Sequence, residues 1–276
     1  MCLFNQRLNA SFENKQVIKV ISGINNFNIN EILKIVYAAE ISGATYIDIA
    51  ANPFLVSFIK TITNLPICVS SIYPNDLFDC VLQGADLVEI GNFDVFYSKG
   101  INLSKNQILK LAEETRSLIP NIDICVTIPH ILTLDHQIQL AIDLEKLGIN
   151  IIQTEGITAN TVNNFISSES IDNIYSFTSN ASSALSSVYT ISNAVNIPII
   201  ASSSINAISA PIAFSYGASA VGIRSAISNL NTVYKMSCYI EEIIYSILTS
   251  CKISNICPLI NDAKTSDDVK LNILEL

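Results

Sequence analysis

The sequence predicts an α/β protein, a single (β/α)8 TIM barrel, on three observations. Eight short β-branched runs recur along the chain, amphipathic segments separate most of them, and a glycine repeatedly closes a segment just before the next run. The runs are VIKVISGI (17–24), TYIDIA (45–50), PICVSSI (66–72), DLVEIG (86–91), DICVTIP (123–129), NIIQTEG (150–156), PIIASSSI (198–205) and AVGIRSAI (220–227). Each is rich in Val, Ile and Thr and bounded by Gly, Pro or Asn, as strands are.

The intervening segments read as helices. NEILKIVYAAEISG (30–43) places Ile32, Ile35, Val36 and Ala39 on one face and ends at Gly43, a C′ glycine. SKNQILKLAEETRSLIP (104–120) opens with Ser104 as N-cap and stops at Pro120. LDHQIQLAIDLEKLG (134–148) takes Asp135 as its cap and Gly148 as its stop. The pairs Gly43-Ala44, Gly84-Ala85, Gly148-Ile149 and Gly217-Ala218 mark returns from helix to strand.

Eight alternations over about 230 residues give the barrel count. The main rival is a doubly wound open sheet, but no GxGxxG follows the first strand. Residues 1–16 are expected as a lead-in, 17–251 as the barrel and 252–276 as a C-terminal extension.

Composition excludes several function classes. A net charge of −9 and a pI near 4.7 argue against a nucleic-acid or anionic-membrane partner. A positive mean hydropathy of +0.43 invites a membrane reading. The longest uncharged stretch, Asn173 to Ile223, is nevertheless interrupted throughout by Ser, Asn, Pro and Gly. Seven cysteines show no CxxC pair and no metal-ligand spacing, and their odd number suits a reducing compartment better than a disulfide framework. The first sixteen residues have neither the order of a signal peptide nor the bias of a transit peptide.

In a barrel of this kind, chemistry sits at the C-terminal ends of the strands and in the loops that follow. With period-two alternation, Lys19, Asp48, Glu89, either Gln153 or Glu155, and Arg224 face the interior. The bland account of Lys19, Asp48 and Glu89 is an ion network that satisfies only itself. The functional account is an acid–base site, because a desolvated lysine becomes a base or an imine-forming nucleophile and a desolvated carboxylate holds a proton. His130 ends the fifth strand and joins Glu155 as a catalytic candidate, with Asn25, Asn92 and Gln153 as substrate contacts. No metal is expected, since these acids come with neither a second histidine nor a close acidic motif.

Many barrels hold a phosphate in the loops after strands seven and eight. Here those loops carry Ser203, Ser204, Arg224 and Ser225, whose hydroxyls and guanidinium suit a phosphate. The long connection 157–180 reads as a lid over the mouth.

Eight segments together carry a family resemblance: KVISGINNFN, AAEISGATYIDIAA, LPICVSSIYP, GADLVEIGNFDVFY, ETRSLIP, VTIPHILTLDHQIQLA, IIQTEG and GASAVGIRSAI. From about Lys19 to Asn231 the chain resembles the hypothetical chloroplast reading frame 23 family of algal plastids and cyanobacteria. The resemblance implies a TIM-barrel-like fold and a place in the chloroplast stroma, and it brings no catalytic residues with it. Two positions depart from the pattern: Ile157 follows TEG where a second glycine is expected, and Arg224 stands where a glycine is expected.

Two functions fit these residues. One is a lyase, isomerase or synthase acting on a small phosphorylated metabolite, with an FMN-binding barrel as a variant; no cofactor is assigned. The other is a non-catalytic sensor that binds a phospho-metabolite and signals through a partner. Association into a homo-oligomer is compatible with both.

Overall fold

The computed structural model describes the backbone of residues 3–97, 99–156 and 172–267, and the side chains within those ranges except 172–180 and 251–267. Its eight strands are β1 (Val17–Ile21), β2 (Tyr46–Ala50), β3 (Ile67–Ser71), β4 (Leu87–Ile90), β5 (Asp123–Ile128), β6 (Ile151–Thr154), β7 (Ile199–Ala201) and β8 (Ala220–Ile223). They pair in sequence order, all parallel, and β8 pairs with β1 to close the barrel. The helices are α1 (Gln6–Glu13), α2 (Ile29–Ile41), α3 (Pro53–Lys60), α4 (Pro74–Leu82), α5 (Asp94–Tyr97), α6 (Lys105–Leu118), α7 (Leu134–Lys146), α8 (Asp172–Ser192), α9 (Ser209–Ser215), α10 (Ser225–Ser228) and α11 (Val233–Asp267).

Strand alternation sorts the apolar residues into two cores. Ile18, Val20, Ile47, Ile49, Val69 and Val88 belong to the cluster packed under the helices. Val17, Tyr46, Leu87, Ile151 and Ile200 form a second cluster within the barrel, with Cys68 and Cys125 among them as small hydrophobes.

The second cluster also contains Leu3, Leu8 and Phe12. The expected lead-in therefore contains a helix, α1, that packs its apolar face on the barrel's lower interior. Each fully buried Leu or Phe contributes roughly 1.5–3 kcal/mol. The Asp123 carboxylate, at the start of β5, ties the plug down by accepting from the backbone N–H groups of Phe4 (3.0 Å) and Asn5 (2.9 Å).

The glycine signal has a structural basis. At Gly43, Gly84, Gly148 and Gly217 the chain turns left-handed (φ +76, +97, +84 and +102). Around each glycine, two backbone bonds such as Gly43 N–H to Glu40 O and Ala44 N–H to Ala39 O close a Schellman motif. The residue after each glycine is buried, so the cap delivers the chain directly into the next strand.

Several element ends differ from expectation. β7 stops at Ala201 because Ser203 and Ser204 turn left-handed (φ 81 and 54), which no strand accommodates. β8 stops at Ile223 because the chain turns at Arg224 into the one-turn helix α10. The N-cap of α7 is Thr133, with Asp135 in the first turn, where its charge complements the helix N-terminus. Part of the connection expected at 157–180 is helix, because α8 begins at Asp172, ahead of its Ser- and Asn-rich run of weak helix formers. The remainder of that connection, and with it the expected lid, lies outside the described residues. α11 continues past residue 251 into the segment expected as an extension. No described helix is long and apolar enough to cross a membrane.

Candidate functional site

The barrel's interior carries a buried polar tier above its apolar floor. Lys19, Asp48, Glu89 and Gln153 project from β1, β2, β4 and β6 and are at most 1% exposed. The Lys19 ammonium donates to Glu89 Oε2 and Gln153 Oε1 (2.9 Å) and forms an ion pair with Asp48 Oδ2 (3.1 Å). Glu89 Oε1 accepts from Thr127 Oγ1 (2.8 Å) and Gln153 Nε2 (2.7 Å). Asp48 accepts from Ser70 Oγ (2.6 Å) and Asn92 Nδ2 (3.3 Å).

Electrostatics fix the protonation of this tier. Burial disfavours the Lys19 ammonium, but the charges of Asp48 and Glu89 outweigh it and hold the lysine well above its ordinary range. Burial raises Glu89; Lys19 opposes that rise and Asp48 adds to it, and the balance is upward. Glu89 therefore takes a proton more readily than a free glutamate does.

Among the described residues, Asp48, Cys68 and Glu89 place potential metal donors within 4.8 Å of one another. Lys19 already occupies the space between the two carboxylates. Burial also pushes the Cys68 thiol well up, away from the thiolate a metal takes. This donor set fits an ammonium better than a divalent ion.

A second tier lies at the mouth, and Glu155, one residue past β6, organises it. Its Oε1 accepts from the Asp94 backbone N–H (3.1 Å). Its Oε2 accepts from the Tyr97 hydroxyl (2.5 Å) and the His130 backbone N–H (3.4 Å), and it lies 3.2 Å from His130 Nδ1. The His130 and Tyr97 rings meet edge to face at 5.1 Å. Burial, then the charge of Glu155, raises Tyr97, which keeps its hydroxyl a donor.

The short helix α5 supplies both Asp94 and Tyr97. Asp94 Oδ2 accepts from Arg224 Nη1 at 2.9 Å, linking the β4 loop to the end of β8. Burial raises Asp94, with Arg224 opposing. The guanidinium also lies against Gly23, where an added Cβ would come within 3.1 Å of Nη2. Gly222 likewise allows Ser202 of the β7 end close against β8, since a Cβ there would meet Ser202 Oγ at 2.9 Å.

The structure thus divides the residues expected from sequence into two sets. Lys19, Asp48, Glu89, Gln153 and Asn92 form the buried tier, and Glu155 and His130 meet above it. Gln153 and Glu155 both face inward, one at each level. Arg224 pairs with Asp94 and is partly exposed. Ser203 and Ser204 form the left-handed turn after β7, while Ser225 begins α10 and is exposed. Asn25 is exposed in the loop after β1 and takes no part in the hydrogen bonds of either tier. Thr127 and Ser70 at strand ends and Asp94 in the loop after β4 stand where the barrel rule points, and they join the site. Tyr97 joins it too, and nothing in the sequence marks it.

Comparison with known proteins places the chain among relatives. A family model described as "Protein of unknown function (DUF561)" matches residues 3–253. "Uncharacterized protein ycf23" of Antithamnion sp. is 55% identical over 258 residues, covering 93% of this chain and 92% of the relative. The protein of the same name from Cyanophora paradoxa is 40% identical over 240 residues, covering 87% and 96%. Among solved structures, (S)-3-O-geranylgeranylglyceryl phosphate synthase from Thermoplasma acidophilum, in complex with sn-glycerol-1-phosphate, is similar with a TM-score of 0.59 and 15% identity, over 90% of this chain and 98% of that one. Thiamine phosphate pyrophosphorylase from Pyrococcus furiosus gives a TM-score of 0.54 and 17% identity, over 86% and 98%. At these identities the structural likeness speaks for the barrel fold alone.

Proposed function

Starting from the premise that the chain belongs to the DUF561 family, whose relatives above are called ycf23, we propose that it binds a small phosphorylated metabolite at the barrel mouth and moves a proton on it, as a lyase, isomerase or synthase does. The observation that carries this reading is the Glu155–His130 contact at 3.2 Å, set at the C-terminal end of the barrel within one hydrogen-bond network with Asp94 and Arg224. Arg224, with the hydroxyls of Ser203, Ser204 and Ser225, would take the phosphate. Asn92 and Gln153 would meet the ligand from below.

Lys19, Asp48 and Glu89 act in this reading as a charged floor that fixes the site's electrostatics. Imine formation by Lys19 is disfavoured, because a nucleophilic amine must first lose a proton that both carboxylates hold in place. The names of the two structural neighbours, which mention phosphate compounds, support a phosphorylated ligand. The ycf23 name and the sequence resemblance support a plastid, stromal setting.

The test is a thermal-shift and equilibrium-binding screen of small phosphorylated metabolites, with FMN included, followed by turnover assays on every hit. The expected result is at least one binder that is also converted. Binding with no conversion favours the sensor function, FMN alone as a hit favours the flavin variant, and no binding at all overturns the phosphate site.

A further inference from the structure

We propose that Glu155 is a positioning residue, holding His130 as the tautomer protonated on Nδ1, so that Nε2 is the atom that accepts a proton at the barrel mouth. The inference rests on the reading above and assigns the atoms within it. It follows from counting donors and acceptors.

A carboxylate offers about four lone-pair sites. Glu155 receives four contacts: the Asp94 and His130 backbone N–H groups, the Tyr97 hydroxyl and His130 Nδ1. The two backbone groups can only donate, and the hydroxyl of Tyr97 is held as a donor by burial. An ionised carboxylate only accepts, so Nδ1 donates as well, which leaves Nε2 with its lone pair. Glu155 is 5% exposed, and three of its four contacts converge on Oε2, the oxygen that faces His130. The His130 side chain keeps 13% of its surface open.

The charges around the pair suit a transient cation. Besides Glu155, the titratable groups in this network are Tyr97, Asp94 and Arg224, and Asp94 is already paired with Arg224. When a substrate O–H, or a C–H next to a carbonyl, gives its proton to Nε2, the electron pair stays on the substrate. The imidazolium so formed lies against the Glu155 carboxylate, and the same proton returns in the reverse step. The ligand class is thus narrowed to a phosphorylated compound bearing a hydroxyl or an activated C–H.

The chain has two histidines, His130 and His136, so the imidazole nitrogens can be read directly. The full-length protein is labelled with 15N-histidine and its ring resonances are recorded where the imidazoles are neutral. His136 is exposed and is assigned through H136Q. The expected spectrum shows His130 protonated on Nδ1, with a pyridine-like Nε2. Substituting Glu155→Leu removes the acceptor that faces Nδ1, and the Nε2-protonated tautomer should then become populated. Tyr97→Phe, a milder change, should leave Nδ1 protonated.

A wild-type His130 protonated on Nε2 overturns the proposal. So does an unaltered tautomer in Glu155→Leu. Once a converted metabolite is in hand, His130→Gln should lower kcat by about 10²–10⁴-fold with little change in KM. A screen that finds no converted metabolite counts against the wider function, while the tautomer experiment decides this assignment independently.

Discussion

Lys19 and Glu89, 70 positions apart in sequence, share a proton-bearing contact in the middle of the barrel, both fully buried. Removing one partner of such a pair leaves an uncompensated charge, which costs about 3–5 kcal/mol. Lys19→Met should therefore be severe, since it strands Asp48 as well as Glu89. Glu89→Gln keeps the shape and the Thr127 contact and should cost only about 1–2 kcal/mol. Urea unfolding of the two variants checks the order; equal losses would mean that charge pairing does not stabilise this tier.

The same tier predicts a pH dependence. The folded Glu89 holds its proton more tightly than the unfolded chain does, because burial outweighs the help of Lys19. The stability from this proton is complete below the ordinary glutamate value of about 4.3 and is lost as pH rises through the higher folded value. Lys19 is raised as well, so its contribution is complete below about 10.4 and is lost only in stronger alkali. Glu89→Gln removes the first effect and keeps the second. Wild-type stability measured by urea unfolding should fall relative to Glu89→Gln as pH rises from about 4 toward neutrality, and a constant difference would refute the assignment.

Gly91 is a test of packing at the strand end. A Cβ there would lie 2.1 Å from Thr127 Oγ1, 2.6 Å from Thr127 Cβ and 2.8 Å from Glu89 Oε1. Thr127 cannot retreat without giving up its bond to Glu89. Gly91→Ala should destabilise by about 1–3 kcal/mol through overpacking. At Gly43 nothing lies within 4 Å of an added Cβ, so Gly43→Ala should show only the strain of φ +76, on the order of 1 kcal/mol. Thermal unfolding of the two variants compares a clash with a pure backbone cost.

How much of this was legible in the sequence differs by level. The barrel is, because β-branched runs, amphipathic segments and Schellman glycines all point the same way. Lys19, Asp48 and Glu89 are also legible, since alternation around inward Val17, Tyr46 and Leu87 dictates their side. The plug helix is not: Leu3, Leu8 and Phe12 are too sparse to announce a face without the barrel floor they cover. Tyr97 is hidden for a similar reason, as a one-turn helix has no periodicity, and its link to Glu155 spans 58 residues. The start of α8 is obscured because Ser and Asn have weak helix propensity and tertiary context overrides it.

Asn92 separates backbone strain from side-chain bonding. It adopts φ 58, and its amide donates to Asp48 (3.3 Å) and Ser70 (3.1 Å). Asn92→Gly keeps the left-handed turn and loses both bonds, whereas Asn92→Ala loses the bonds and adds strain of roughly 1–2 kcal/mol. The alanine variant should therefore unfold at lower urea than the glycine variant. Matching midpoints would show that the left-handed turn carries no cost.

Arg224 and Asp94 make opposite predictions from the two ends of one ion pair. If Arg224 grips a phosphate, Asp94 competes with that phosphate for the guanidinium at 2.9 Å. Arg224→Ala should weaken binding of a phosphorylated ligand by at least about tenfold, equivalent to roughly 1.4 kcal/mol. Arg224→Lys should recover only part of this, because an ammonium lacks the planar fork. Asp94→Asn removes the competing charge while keeping the backbone N–H that holds Glu155, so it should strengthen binding. Isothermal titration with inorganic phosphate, and with any metabolite the screen finds, measures all three variants. If Asp94→Asn weakens binding as much as Arg224→Ala does, the pair is a strut bracing the mouth, and the phosphate must be held elsewhere.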